Sequence, residues 1–135
     1  MSFVLDTTAI ISYLSDLRGS DLIEELLDNA AKGKAKVHVS YVTIAELYHV
    51  IGTEFSQKKA NESVAAVKSW PVSLTQVDEG IALAAGRLMV QEEIPFEDAI
   101  VIATALDKKA TVVTANPKLA QAFEDTIVIG RPDGG

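Results

Sequence analysis

The sequence predicts an α/β protein, a three-layer α/β/α sandwich around a mostly parallel, five-stranded sheet. Short apolar runs alternate along the chain with stretches of helical periodicity. Strands that alternate with helices are joined by right-handed crossovers, which place helices on both faces of a parallel sheet. The 135 residues, 48% of them hydrophobic, suit one packed domain, expected over residues 1–129. Residues 130–135 are polar and glycine-rich and are expected to form a flexible C-terminal tail.

The first half of the chain contains two expected strands and four expected helices. Residues 3–5 (Phe-Val-Leu) form an apolar run of the length of a buried strand, and residues 37–41 alternate and carry β-branched side chains. The helices are expected over residues 7–14, 21–32, 43–55 and about 57–69. Gly33 follows the second helix, as glycine commonly does at a helix C-terminus.

The second half repeats this alternation of strands and helices. Strands are expected over residues 72–77, 111–114 and 126–129. Helices are expected from Asp78, as the capping residue, to about residue 91, from about residue 97 to 106, and over residues 117–123. Pro95 precedes the second of these helices, which is consistent with a boundary at that point.

The composition excludes several classes of site. The chain has no cysteine, so it has no disulfide, thiolate zinc site or cysteine nucleophile. It opens without the pattern of a signal peptide and has no apolar run long enough for a membrane span, so we expect a cytoplasmic protein. The net charge of −7 argues against an extended nucleic-acid-binding surface. Carboxylates clustered around a divalent cation would nevertheless reverse the local field.

Four oxygen-bearing side chains are expected at one edge of the sheet. Asp6 ends the first strand, Glu46 and Asp98 lie in the expected first turns of helices that begin at the same edge, and Asn116 follows residues 111–114. Ligands bind beyond the carboxyl ends of parallel strands. Mg²⁺ and Mn²⁺ prefer oxygen ligands, and neighbouring carboxylates repel one another unless a cation is present. We therefore expect a divalent metal at Asp6, Glu46 and Asp98.

Each of these acids also has a purely structural interpretation. Asp6 could cap the helix that follows it. Glu46 stands three residues after Thr43, the spacing of a capping box. Asp98 could complement the dipole of its helix. The metal site disappears only if all three structural interpretations hold together.

Four segments of the sequence resemble the motifs of PIN domains. Residues 3–8 (Phe-Val-Leu-Asp-Thr-Thr) resemble the opening strand and first aspartate. Residues 40–47 (Ser-Tyr-Val-Thr-Ile-Ala-Glu-Leu) are similar to the second motif and residues 97–105 (Glu-Asp-Ala-Ile-Val-Ile-Ala-Thr-Ala) to the third. Residues 112–116 (Val-Val-Thr-Ala-Asn) resemble the fourth. The four segments follow the order of the family and cover nearly the whole chain.

This resemblance implies an Mg²⁺- or Mn²⁺-dependent endoribonuclease similar to the VapC toxins. Such proteins hydrolyse RNA, commonly form homodimers, and are held inactive by a small VapB-like antitoxin that inserts into the acidic site. The resemblance implies metal-binding catalytic acids at Asp6, Glu46 and Asp98. It implies supporting hydroxyls at Thr7, Thr8 and Thr114. Arg87, on the expected helix that precedes the Asp98 segment, is a candidate contact for phosphate or antitoxin.

The last motif departs from the family pattern. The family often carries a fourth acid there, whereas this chain has Asn116, and Leu119 stands where another acid sometimes occurs. Asn116 is kept as a candidate catalytic position. The departure leaves open an alternative function, a catalytically weak or inactive PIN-fold protein that binds or scaffolds a partner.

Two other enzyme classes match the sequence poorly. A phosphatase of the haloacid dehalogenase type normally has a second aspartate two positions after the first, where this chain has Thr8. A di-iron site needs two Glu-x-x-His elements, and the chain has one, from Glu46 to His49. The ribonuclease and the inactive binding protein remain the two hypotheses.

Overall fold

Five parallel strands form the sheet in the centre of the computed structural model, which describes residues 1–17 and 19–130. The strands are β1 (Ser2–Leu5), β2 (Lys36–Ser40), β3 (Ser73–Thr75), β4 (Thr111–Thr114) and β5 (Thr126–Val128). Their order across the sheet is β3-β2-β1-β4-β5, and every pairing is parallel. The predicted α/β class is confirmed.

Seven helices are present in the described residues and cover the two faces of the sheet. They are α1 (Thr7–Leu14), α2 (Ser20–Ala31), α3 (Tyr41–Glu54), α4 (Gln57–Ser69), α5 (Glu79–Glu92), α6 (Phe96–Lys108) and α7 (Pro117–Ala122). Buried side chains of α1 to α4 pack in one apolar cluster, and those of α5 to α7 pack in two others. These two groups are the outer layers of the sandwich.

Strand β1 separates these layers by the alternation of its side chains. Phe3 and Leu5 belong to the cluster that contains α1 to α4, whereas Val4 packs with α6 and α7. All three side chains are buried, as expected of the middle strand of a sheet covered on both faces. Packing on both faces thereby fixes the central strand, and with it the position of Asp6, the residue that follows.

The position of β1 creates a topological switch point. From β1 the chain continues to β2 and β3 on one side, and it returns as β4 on the other side of β1. The chain leaves the paired carboxyl ends of β1 and β4 towards α1 and α7, which lie on opposite faces of the sheet, and this opens a crevice of the kind where ligands bind in open α/β sheets. Asp6 and Ala115 are the first residues beyond these two strand ends.

The boundaries differ from expectation mainly at α3. The sequence predicts a strand to residue 41 and a helix from Thr43, whereas α3 already begins at Tyr41. The prediction is wrong there because Ser40 caps the helix, its hydroxyl accepting the Val42 N–H at 3.1 Å. β3 and β5 are also shorter than expected, with three residues each.

The expected tail lies almost wholly outside the described residues, which end at residue 130. Among the helices that the structure describes, none has both the length and the apolar character needed to span a bilayer.

Candidate metal centre

Asp6 lies at the switch point and holds the start of α1. Its Oδ1 accepts the backbone N–H of Ala9 at 2.9 Å, which is the N-cap interaction expected from the sequence. Its own N–H donates to the carbonyl of Val113 at 3.2 Å, so the backbone is tied to β4 as well. The side chain is 4% exposed. The structural interpretation of Asp6 is confirmed, but capping uses only one of the two carboxylate oxygens.

Two threonine hydroxyls fix the Asp6 carboxylate in the crevice. Thr8 donates to Oδ1 at 2.8 Å, and Thr114, at the end of β4, donates to Oδ2. Each threonine is itself held by a backbone N–H: Thr8 accepts from Ala115 at 2.8 Å and Thr114 from Asn116 at 2.9 Å. The carboxylate is therefore oriented by one neighbour in the sequence, Thr8, and by Thr114, which is 108 positions away. Thr8 and Thr114 thus both contact Asp6, and the supporting role at a metal site that the family resemblance implies for them stays a prediction.

We expect Thr114→Val to destabilise the protein by about 1–3 kcal/mol, because it leaves Asp6 Oδ2 without its donor and the Asn116 N–H without its acceptor. The free energy of unfolding from urea denaturation measures this loss. Thr114→Ser keeps the hydroxyl and is the matched control. Equal stability of the two variants would show that the hydroxyl contributes nothing.

Thr7 presents a different case from the other two threonines. Its hydroxyl is buried, and no described residue supplies a hydrogen-bond partner for it. A buried polar atom is nearly always paired, with protein, water or a bound group. Thr7 directly follows Asp6, so this hydroxyl is a group through which a bound ligand or its water could be held.

Glu46 does not cap a helix. Ser40 is the N-cap of α3, so Thr43 is the third helical residue and Glu46 the sixth. The capping-box interpretation is therefore wrong, and so is the expectation that Glu46 lies in the first turn. It lies in the second turn, partly buried, and its charge contributes to raising the pKa of both Asp6 and Asp98. A capping role therefore does not explain the glutamate at this position. Its effect on the pKa values of Asp6 and Asp98 indicates instead that it lies near these two acids.

Asp98 lies in the first turn of α6, as the sequence predicts. Burial of the carboxyl, followed by repulsion from Asp6, Glu46 and Glu97, together raise its pKa to about 6. A carboxyl at a helix N-terminus that served only the dipole would be stabilised in its charged form. The opposite shift of the pKa indicates that burial, together with neighbouring negative charge, outweighs the dipole.

The pKa of Asp6 is raised as well. Burial is the main cause, opposed by the hydrogen bonds from Thr114, Ala9 and Thr8, and Glu46 adds a smaller repulsion. Glu46 thus disfavours the ionisation of Asp6, and Asp6 and Glu46 together disfavour the ionisation of Asp98. In the described residues none of them forms an ion pair with a lysine, arginine or histidine. A bound cation would supply the missing counter-charge.

The donor set suits a hard divalent cation that also binds water. Within the part of the chain that the structure describes, no three His, Asp or Glu side chains are arranged so that they alone could hold a metal ion. Mg²⁺ ordinarily retains several waters and binds through one or two carboxylates together with substrate phosphates. Oxygen ligands, mutual repulsion and the unpaired Thr7 hydroxyl fit that mode of binding. The sharing of one ion by all three acids stays a prediction.

Asn116 is beside the site but has a structural role. Its Oδ1 accepts the N–H of Lys118 at 3.1 Å and caps α7, which has Pro117 at its first position. Asparagine is among the residues preferred at an N-cap. The departure from the family's fourth acid is therefore accommodated locally by the helix that follows.

Asp98 also borders a cleft that could not be identified from the sequence. This α7 cleft, about 630 Å³ in volume, lies between α7 and the α5–α6 connection, residues 93–95, together with Glu92 at the end of α5. Asp98 and Asn116 are part of its lining. Lys118 and Gln121 line it from α7, although no motif or periodicity singles them out. Arg87, exposed on α5, borders a separate hollow with Leu83 and Val90 and is not part of the α7 cleft.

Comparison with known proteins agrees with this geometry. The family model described as PIN domain matches residues 3–124. No curated protein sequence matches the chain. Among solved structures, VapBC2 from Rickettsia felis bound to a DNA fragment from their promoter gives a TM-score of 0.74 at 18% identity, covering 95% of this chain and 97% of that one.

Two further solved structures show the same similarity. DNA-bound VapBC from Salmonella typhimurium gives a TM-score of 0.72 at 16% identity, covering 95% of this chain and 96% of that one. VapC20 from Mycobacterium tuberculosis, a sarcin-ricin loop cleaving toxin, gives 0.66 at 16% identity, covering 90% and 95%. At this identity the structural matches establish a common fold. The family model covers nearly the whole described chain, and the protein therefore belongs to the PIN domain family.

Proposed function

We propose that the protein is a metal-dependent endoribonuclease, the toxin of a VapBC-type toxin–antitoxin pair. The observation that supports this proposal is a buried Asp6 at the switch point of the sheet and a raised pKa of Asp98, to which burial and the charges of Asp6 and Glu46 contribute. Cytoplasmic location is part of the proposal, because its substrate and partner are intracellular.

Mg²⁺ or Mn²⁺ would be held by Asp6, Glu46 and Asp98, directly or through retained water. When bound, such a cation makes a water more nucleophilic and offsets the charge that develops on a phosphodiester. In the hydrolysis the water oxygen forms a bond to phosphorus, the bond from phosphorus to the 3′-oxygen breaks, and that oxygen takes up a proton. This chemistry reconciles an acidic protein with an anionic substrate.

The main contribution of the chain's own residues is to hold the groups of the site in fixed orientations. Thr8 and Thr114 hold the Asp6 carboxylate in one orientation from two sides of the crevice. Asp98 and Glu46 approach from helices on opposite faces of the sheet, so the site is assembled only in the folded protein. Preorganised groups of this kind contribute to rate because little reorganisation is needed during reaction.

The first test is cleavage of mixed RNA oligomers by purified protein with Mn²⁺ or with excess EDTA. We expect cleavage only with the metal, and a rise in melting temperature when Mn²⁺ is added, since a ligand that binds the folded state stabilises it. Cleavage that persists unchanged in EDTA would contradict metal dependence.

Glu46→Gln is expected to lower cleavage by about 100-fold or more with little change in stability, because the residue has no capping role. The Mn²⁺-induced rise in melting temperature should shrink in parallel. Glu54→Gln, on the exposed last turn of the same helix, is the matched control and should behave as the unmodified protein. Equal loss in both variants would contradict a local role for Glu46.

One observation favours the second candidate, an inactive PIN-fold binding protein. Asn116 occupies the position of a family acid and is committed to capping α7. If this candidate is correct, Mn²⁺ fails to promote cleavage of any RNA while the protein still binds its partner. Asn116→Asp discriminates further, because it would raise activity if the missing acid is the limiting feature.

A VapB-like antitoxin and a second copy of the chain are the proposed partners. Large apolar side chains are exposed on two helices: Tyr41, Tyr48 and Phe55 on and just after α3, and Leu83 and Val90 on α5. A protein partner that packs against these exposed apolar side chains would remove them from water. Co-purification with a small protein encoded beside it, with loss of RNA cleavage in the complex, is the expected result.

A further inference from the structure

The α7 cleft is continuous with the candidate metal centre, because Asp98 is part of both. Its volume of about 630 Å³ lies inside the range of roughly 300–1,000 Å³ that is typical of small-molecule sites. A group seated in the cleft would therefore be adjacent to a phosphodiester positioned at the acids. For an RNA substrate, that group is part of a neighbouring nucleotide.

The cleft combines apolar and polar surface in a way that suits a flat, neutral group. Ile94, Pro95 and Leu119 provide apolar lining, and Gln121 and Lys118 provide hydrogen-bonding groups at the side of α7. Unpaired RNA bases are recognised through packing of their faces and hydrogen bonds to their edges. Both kinds of contact are available here.

Charge decides between a base and a second phosphate. The cleft carries three carboxylates, Glu92, Glu93 and Asp98, against one ammonium, Lys118. A phosphate placed among them would be repelled by a net negative lining, whereas an uncharged base would not. Carboxylate and amide oxygens also accept hydrogen bonds from amino and ring N–H groups.

Resting on the proposed ribonuclease function, we propose that the α7 cleft binds the base next to the bond that is cut, and that Gln121 and Lys118 determine which base is accepted. The acceptor-rich lining favours bases with amino groups. Guanine presents a ring N–H and an amino group side by side on its Watson–Crick edge, whereas uracil presents one N–H and no amino group. Guanine is the expected best ligand and uracil the poorest.

The first experiment measures binding without cleavage. Guanosine and uridine are titrated separately into the full chain, and NMR follows the Gln121 side-chain amide and the Leu119 methyl groups. One additional hydrogen bond corresponds to about fivefold tighter binding, so guanosine should bind about fivefold more tightly than uridine. Gln121→Ala should reduce this ratio towards one. Absence of binding by both nucleosides, or an unchanged ratio in Gln121→Ala, would overturn the proposal.

The second experiment measures base preference during cleavage. A randomised RNA pool is cut with Mn²⁺ by the unmodified protein, Gln121→Ala and Lys118→Ala, and the new ends are sequenced. The variants should lose about fivefold of the preference at one position next to the cut while retaining the Mn²⁺-induced rise in melting temperature. Gln57→Ala and Lys58→Ala, exposed on α4, are the matched controls and should retain the preference.

The two experiments separate this proposal from the proposed function. If the unmodified protein cuts no RNA, the ribonuclease proposal fails and the nucleoside titration still decides what the cleft binds. If the Lys118→Ala and Gln121→Ala variants cut every sequence more slowly with an unchanged preference, the cleft contacts the RNA backbone, and the base-binding proposal is wrong while the ribonuclease remains.

Discussion

Asp98→Asn should abolish RNA cleavage and, at the same time, stabilise the metal-free protein above pH 6. Both effects come from the negative charge of the Asp98 carboxylate, which is disfavoured by partial burial and by the neighbouring charges of Asp6 and Glu46. Cleavage requires the negative charge of Asp98 because this charge helps to bind a cation. When no cation is present, the same charge destabilises the fold. Substitution of a residue with only a structural role would lower both cleavage and stability.

The direction with pH follows from the raised pKa of about 6, against 3.8 for an unperturbed aspartate. The folded protein holds this proton more tightly than the unfolded chain does. The resulting stabilisation is fully present below about pH 4 and is lost as the pH rises through about 6. After discounting for solvent screening of a partly exposed group, the loss is on the order of 1 kcal/mol.

The measurement is urea denaturation in EDTA at pH 4.5 and pH 7.5 for both proteins. The unmodified protein should lose about 1 kcal/mol more than Asp98→Asn between these values. Asp107→Asn, on the exposed last turn of α6, controls for a general effect of removing an acid and should retain cleavage. Identical pH profiles for the unmodified protein and Asp98→Asn would contradict the charge argument.

Asp6→Ala is expected to lose both activity and stability. It removes the N-cap of α1 and leaves the hydroxyls of Thr8 and Thr114 and the N–H of Ala9 without an acceptor. Loss of a cap and of buried hydrogen bonds together costs about 2–4 kcal/mol. Thermal and urea unfolding measure this loss of stability directly.

Asp6→Asn separates the two roles of this residue. The amide oxygen can still accept from Ala9, so the variant should remain folded, and it lacks the negative charge that a cation requires. We expect cleavage to fall by 100-fold or more, with the Mn²⁺-induced rise in melting temperature largely lost. Cleavage at the normal rate by this variant would defeat the assignment of Asp6.

The positions of Asp6 and Asp98 could be predicted because each stands at an element boundary that the sequence marks. An apolar run ends at Asp6, and Pro95 precedes the helix of Asp98. Glu46 was harder to place, since Tyr41 and Val42 are strand-forming residues and the serine before them is a local capping signal. Local propensity and capping compete there, and capping prevails.

The remaining parts of the site depend on contacts between distant segments. The adjacency of β1 and β4 brings Thr114 to Asp6, and strand order is not encoded in the periodicity of either strand. Lys118 and Gln121 become relevant only because α7 faces the α5–α6 connection. Tertiary packing brings these residues together, and a single sequence carries no direct signal of it.

The separation of 108 residues between Asp6 and Thr114 has a consequence for synthesis on the ribosome. The Asp6 carboxylate is made almost at once, but its orienting partner emerges only when most of the chain has been translated. Contacts of such long range form late in folding. A nascent chain therefore cannot assemble this centre, and nuclease activity is expected only after β4 has left the exit tunnel and docked beside β1.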